Sequence, residues 1–127
     1  MTTDKVLIYD SETTGIPLWN EPSESPTQPH IVQIGALLVD ANNNEVGRFT
    51  AIIKPDGWII PPETTEIHGI TMERAMDEGI PEDEAVSALM DLWRKSDLRV
   101  GHNEMFDRRM IRIALKRFGF GEGRIDH

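Results

Sequence analysis

Short β-type apolar runs give way along this chain to longer stripes with helical spacing. Val6-Leu7-Ile8-Tyr9 is a compact apolar run and predicts a buried strand over about residues 5–10. Residues 16–30 carry Pro17, Pro22, Pro26 and Pro29 and read as an internal loop. Ile31 to Val39 predicts a second strand and Val46 to Lys54 a third. The Asp40-Ala41-Asn42-Asn43-Asn44 turn between them makes the pair a hairpin. Pro55-Asp56-Gly57 begins another loop, and short helices follow near 63–67 and 72–77. A longer helix starts at Pro81, with Glu82, Asp83 and Glu84 in its first turn and Arg94 and Lys95 at its end. Its Ala85, Val86, Leu89, Leu92 and Trp93 form an apolar stripe, which is core packing and implies no cofactor. Leu98-Arg99-Val100 is a short fourth strand. The last helix runs from a cap at Asn103 to about Phe118. The whole is one α/β domain over residues 1–127, without repeats or low-complexity segments.

Two places break the apolar pattern with acids. Asp10-Ser11-Glu12-Thr13-Thr14-Gly15 follows the first strand. Side chains alternate along a strand, so Asp10 and Glu12 project the same way. Paired carboxylates at a core strand repel each other and call for a cation. Oxygen ligands favour a hard ion, Mg²⁺ or Mn²⁺. A polar turn after a strand is the plainer explanation of the same residues. The second place is Asp107. On a helical wheel Met110, Ile111, Ala114 and Phe118 form one side and Arg108, Arg109, Arg112 and Lys116 the other. Asp107 falls on the apolar side, where an unpaired carboxylate costs several kcal/mol or takes a proton. The helix dipole accounts for an acid in the first turn, but not for one facing inward. A metal shared with Asp10 and Glu12 does.

The net charge of −9 argues against a protein that coats duplex nucleic acid by electrostatics. The charge is uneven. Residues 1–90 carry sixteen acids and four bases, net −12, and residues 91–127 six acids and nine bases, net +3. Arg108, Arg109, Arg112 and Lys116 are a possible phosphate-attracting face, or simply a solvated one. There is no cysteine, hence no disulfide and no thiolate metal site. Met1-Thr2-Thr3-Asp4-Lys5 lacks the basic flank and apolar core of a signal, and no apolar run reaches membrane length. The expectation is a cytoplasmic domain with no membrane partner.

Taken together, Asp-x-Glu-Thr-Thr-Gly at 10–15 and His-Asn-x-x-Phe-Asp at 102–107 resemble the DEDDh group of 3′–5′ exonucleases, the proofreading-exonuclease (DnaQ-like) family that includes polymerase III epsilon-like proteins. Pro29-His30-Ile31-Val32-Gln33-Ile34-Gly35-Ala36 is similar to the family's second strand, and Ile67-His68-Gly69-Ile70-Thr71 to its Ile-His-Gly-Ile-Thr segment. These matches keep the family order and span most of the chain. The resemblance implies a ribonuclease H-like fold: a mixed β-sheet flanked by helices, with the first strand central and the Asp107 helix packed across it, bringing Asp10, Glu12 and Asp107 together.

The resemblance also implies the chemistry. Hydrolysis of a phosphodiester would use two cations about 4 Å apart. Asp10 would bridge both ions, Glu12 would bind the one carrying the attacking water, and Asp107 would hold the second through water. The substrate would be a single-stranded 3′ end of DNA, with RNA also open. A DNA polymerase subunit is a possible partner by the resemblance, and proofreading, repair and turnover all stay open as the task. Thr13 and Thr14 match positions that meet the terminal nucleotide, or else serve the turn, since Gly15 tolerates positive φ. His68 lines the nucleotide pocket in this reading, or is a turn histidine. His102 and Asn103 belong to the second motif, Asn103 more readily as a helix cap. Trp19 either stacks on a base or caps the core beside the proline-rich loop. Trp58 is expected to anchor its loop, and His30 to stand apart from the site.

One departure counts. Family members carry a third motif, His-x-x-x-x-Asp, on a helix after the last core strand, and no such segment follows the Asp107 helix here. Arg124-Ile125-Asp126-His127 reads as the start of that last strand. The expectation is an exonuclease domain incomplete at its C-terminus, weak or inactive by itself. The alternative is a catalytically dead module of the same fold that binds a nucleic-acid end or a polymerase.

Overall fold

The computed structural model describes residues 4–120. The expected final strand at 124–127 lies outside them. The described elements run β1 (Val6–Thr13), β2 (Ile31–Val39), β3 (Glu45–Ile52), α1 (Pro62–His68), α2 (Met72–Glu78), α3 (Glu82–Lys95), β4 (Leu98–Val100) and α4 (Glu104–Arg117). The sheet order is β3-β2-β1-β4. β1 pairs antiparallel with β2 along its length and parallel with β4 over Val6–Ile8. The hairpin of β2 and β3 turns on Asp40, whose Oδ1 accepts from the N–H groups of Asn42 and Asn44, both at 2.9 Å. This short-range carboxylate turn lets Asn43 take φ of 64°.

α3 and α4 cover one face of the sheet. Leu7 and Tyr9 of β1, Ile34, Ala36 and Leu38 of β2, Leu89 and Trp93 of α3 and Met110, Ile111 and Ala114 of α4 share one core. The apolar stripes read from the sequence are thus buried where their spacing put them, except that Leu92 is half-buried and Phe118, just past the end of α4, is exposed. A second, smaller cluster lies at the other end, where Val32 and Ile52 pack with Ile60, Ile70 and Ala75. α1 stops at Gly69, whose φ of 78° is the left-handed helix end that glycine adopts at little steric cost. Trp58 packs against both clusters, as a loop anchor should.

The boundaries differ from the sequence expectation in informative places. β1 extends to Thr13 because Ser11, Glu12 and Thr13 pair with Ile34, Gln33 and Ile31 of β2. Asp10 and Glu12 therefore lie within the strand instead of following it. Pro81 is the residue before α3, not its first helical residue. Gly15 does not use positive φ. Asn103 occupies the cap position of α4, yet its side chain makes no capping hydrogen bond.

Candidate active site

The site is built where β4 leaves the sheet. β4 ends at Val100, opposite Ile8, so β1 beyond Ile8 has no β4 partner on that side. Gly101 then carries the chain away along β1. A Cβ there would lie 2.8 Å from the Tyr9 carbonyl oxygen and 3.5 Å from Asp107 Oδ2. Only glycine fits so close to the strand. α4 starts three residues later and returns Asp107 to the open edge. Asp107 Oδ1 accepts from the Ser11 Oγ at 2.6 Å and from the Ser11 backbone N at 3.2 Å. Asp107 is 2% exposed, and its other oxygen, Oδ2, is buried with no hydrogen-bond partner among the described residues. Nearby, Glu104 Oε2 accepts from the Tyr9 hydroxyl at 2.7 Å and from Arg108 Nε at 2.9 Å.

Electrostatics follow from that burial. Loss of solvent pushes the Asp107 carboxyl up to about 6, and the charges of Asp10 and Glu104 push the same way, while the two bonds from Ser11 oppose them. Tyr9 is held far above the ordinary phenol range by burial first and then by Glu104. Along β1 the alternation is as the sequence predicts. Tyr9 and Ser11 are buried under α4, and Ile8, Asp10 and Glu12 take the other face, Asp10 exposed and Glu12 half-buried. Glu12 is raised by burial and then by the Asp10 charge.

Asp10 thus acts on both Glu12 and Asp107, and the three acids surround one residue, Ser11. Among the described residues no group of three or more His, Asp or Glu side chains is placed as it stands to hold a metal ion. Asp10 and Glu12 project from one face, whereas Asp107 reaches the strand edge through Ser11. What the arrangement offers a divalent cation is a set of hard oxygens, those of Glu12 and Asp107 with proton affinity raised by burial and by the Asp10 charge, and one carboxylate oxygen with nothing to bind. Those properties fit the group.

Beside Ser11 lies a cleft of about 540 Å³ lined by residues 11–16 together with Glu63, Thr64, Ile67, His68 and Phe106. Thr13 and Thr14 line it, but both hydroxyls are engaged in the turn. Thr13 Oγ1 donates to the Gly15 carbonyl at 2.6 Å, and Thr14 Oγ1 accepts from the His30 N–H at 3.0 Å. His68 Nδ1 accepts from the Ile70 N–H at 3.1 Å, which leaves the ring proton on Nε2. That Nε2 is buried and unpartnered, and burial lowers the imidazole's proton affinity. His68 is therefore a neutral donor in the cleft wall. His102 and Asn103 are exposed at the start of α4 and do not line this cleft.

Sequence reasoning missed Ser11 and Phe106. Ser11 was legible in principle: alternation turns it inward, where a hydroxyl needs a partner. His30 does not line the cleft; it stacks on Trp58 at 4.3 Å and meets the buried Glu82 at 3.0 Å. No local signal connects positions 30, 58 and 82. Trp19 does not cap the core; it is 49% exposed.

The exonuclease family model matches residues 7–124. The chain belongs to the exonuclease family. The exonuclease domain also superposes on solved structures. E. coli Exonuclease I bound to a dT13 oligonucleotide matches with a TM-score of 0.78 at 23% identity, over 96% of this chain and 25% of that one. An ExoI/SSB-Ct complex matches at 0.79 and 23% identity, over 98% and 26% of the two chains. Exonuclease I from Methylocaldum szegediense matches at 0.71 and 25% identity, over 88% and 23%. The domain spans about a quarter of the length of these structures. No curated protein matches the chain. The ribonuclease H-like fold and the DEDDh resemblance are borne out.

Proposed function

We propose that this domain is a 3′–5′ exonuclease that removes nucleotides from single-stranded DNA with the help of Mg²⁺ or Mn²⁺. The observation that carries the reading is the buried, unpartnered Oδ2 of Asp107, fixed through Ser11 to a strand bearing Asp10 and Glu12. Asp10, Glu12 and Asp107 would hold the ions. Bound divalent ions neutralise phosphate charge and make a water nucleophilic near neutral pH. The protein's own residues do the rest. Ser11 orients Asp107 and leaves one oxygen free. Ile16, Ile67 and Phe106 give the cleft an apolar wall for the terminal sugar and base, which excludes water from the reacting phosphate. His68 Nε2–H donates to the bound nucleotide. The Thr13–Gly15 turn shapes the cleft floor. The oligonucleotides in the Exonuclease I structures, dT13 and dA16, support DNA as the substrate class.

A single strand labelled at its 3′ or its 5′ end, incubated with Mn²⁺ or with EDTA, tests the proposal. Mn²⁺-dependent loss of the 3′ label before the 5′ label supports it, and so does Mn²⁺-dependent thermal stabilisation that Asp10→Ala abolishes. The absence of both release and stabilisation would overturn it. A second reading, a nucleic-acid-end or polymerase-binding module without turnover, is favoured by the lack, among the described residues, of three acids placed around one ion. It predicts end binding that Mn²⁺ and Asp10→Ala leave unchanged.

A further inference from the structure

We infer that Trp19 is a stacking platform for a base upstream of the 3′-terminal nucleotide, so that the proline-rich loop is a second substrate subsite. This rests on the reading of the cleft as the terminal-nucleotide site. Trp19 stands half-exposed on a loop that also exposes Ile16 and Leu18. An exposed indole on a mobile loop would mean little, but this loop is built to hold it. The buried Gln28 side chain closes the loop on itself: Oε1 accepts from the Leu18 N–H at 2.9 Å, and Nε2 donates to the carbonyls of Leu18 at 3.1 Å, Glu21 at 3.3 Å and Pro22 at 3.1 Å. α4 then fastens it at two points. Arg117 donates to the Gln28 carbonyl at 2.8 Å, and Arg109 donates to the Glu21 carbonyl at 2.6 Å.

Arg109 has a second role. Its guanidinium lies over the Trp19 ring, 5.5 Å from the centroid. The ring is thus backed by a fixed cation and keeps half its surface open. Stacking on such a ring is tolerant of base identity, and a neighbouring arginine adds cation–π attraction. Arg112, one turn further along α4, makes no hydrogen bond or ion pair with the described residues and supplies phosphate charge on the same basic face. Trp19 follows Ile16, which lines the cleft, by three residues. Their Cα atoms are at most about 11 Å apart, a span that the first few nucleotides of a strand cover. A strand whose end enters the cleft is thus long enough within a few nucleotides to reach Trp19. The charge complementarity favours nucleic acid over a protein partner.

The test is fluorescence anisotropy in EDTA with 5′-labelled dT8, alongside competition by dTMP. Trp19→Ala should weaken dT8 binding roughly tenfold, with dTMP binding unchanged and most of the loss restored by Trp19→Phe. Two results overturn the inference while leaving the cleft assignment intact: dT8 bound equally well by Trp19→Ala, or Trp19→Ala weakening dTMP as much as dT8. Wild-type protein that binds neither dT8 nor dTMP overturns both. A change in sedimentation of Trp19→Ala without loss of dT8 affinity marks the ring as a protein contact and also overturns the inference.

Discussion

Ser11 and Asp107, ninety-six positions apart, are joined twice through a single oxygen: Asp107 Oδ1 accepts from both the hydroxyl and the backbone N–H of Ser11. That pairing leaves Oδ2 unused and fixes where it sits. Ser11→Ala removes the shorter bond and keeps the other. Urea unfolding should show a loss of about 1–3 kcal/mol, the usual effect on a buried charged acceptor. An unchanged midpoint would mean that the hydroxyl does not hold the carboxylate.

Asp107 makes stability fall with rising pH. Its carboxyl ordinarily titrates at 3.8 and in the fold at about 6. Between those values the folded protein holds more proton than the unfolded chain, so this contribution is complete below 3.8 and lost as pH climbs through 6. The size is about 3 kcal/mol. Asp107→Asn removes the titration. In EDTA the variant should gain on the wild type by that order between pH 4 and pH 8, read from paired urea curves. Adding Mn²⁺ at pH 7 should stabilise the wild type and not the variant.

Gly101→Ala places a methyl carbon 2.8 Å from the Tyr9 carbonyl. The start of α4 must move off β1, at a cost of about 1–3 kcal/mol. Mn²⁺-dependent stabilisation should weaken with it, because Asp107 is carried on that helix. Thermal melts with and without Mn²⁺ separate the two effects. A melt identical to wild type under both conditions would show that the close approach is immaterial.

His68→Ala should weaken dTMP binding by about fivefold, the value of one hydrogen bond near 1 kcal/mol. The Nε2–H has no protein partner among the described residues, so the loss belongs to the ligand. Competition against labelled dT8 reads it directly.

Glu82 is 5% exposed and binds the Ile31 N–H at 3.1 Å, His30 at 3.0 Å and Arg117 at 3.9 Å. Glu82→Ala removes the acceptor of the buried Ile31 N–H and the carboxylate beside the half-buried Arg117, and should cost about 1–3 kcal/mol in urea unfolding. It lies away from the cleft, so dTMP affinity of the folded fraction should hold.

The order and type of all eight described elements were legible from periodicity and from proline and asparagine punctuation. Those signals are local, and the fold obeys them. The inward position of Asp107 was legible too, because a helical wheel fixes facing within one element. What stayed hidden were relationships between elements. That Ser11 meets Asp107 depends on where β4 stops, and a three-residue strand carries little pattern of its own. The exposure of Trp19 depends on Arg109 and Gln28, residues that composition reads as solvated polar side chains. His30, Glu82 and Arg117 converge only after the sheet and α4 have packed.

The bond from the Ser11 backbone to Asp107 has a bearing on solubility. An N–H at an unpaired strand margin is a template on which another chain can add. Here a carboxylate takes that donor and closes the margin with negative charge. The same side chain guards the domain against misassembly, and a variant such as Asp107→Ala would leave the margin sticky.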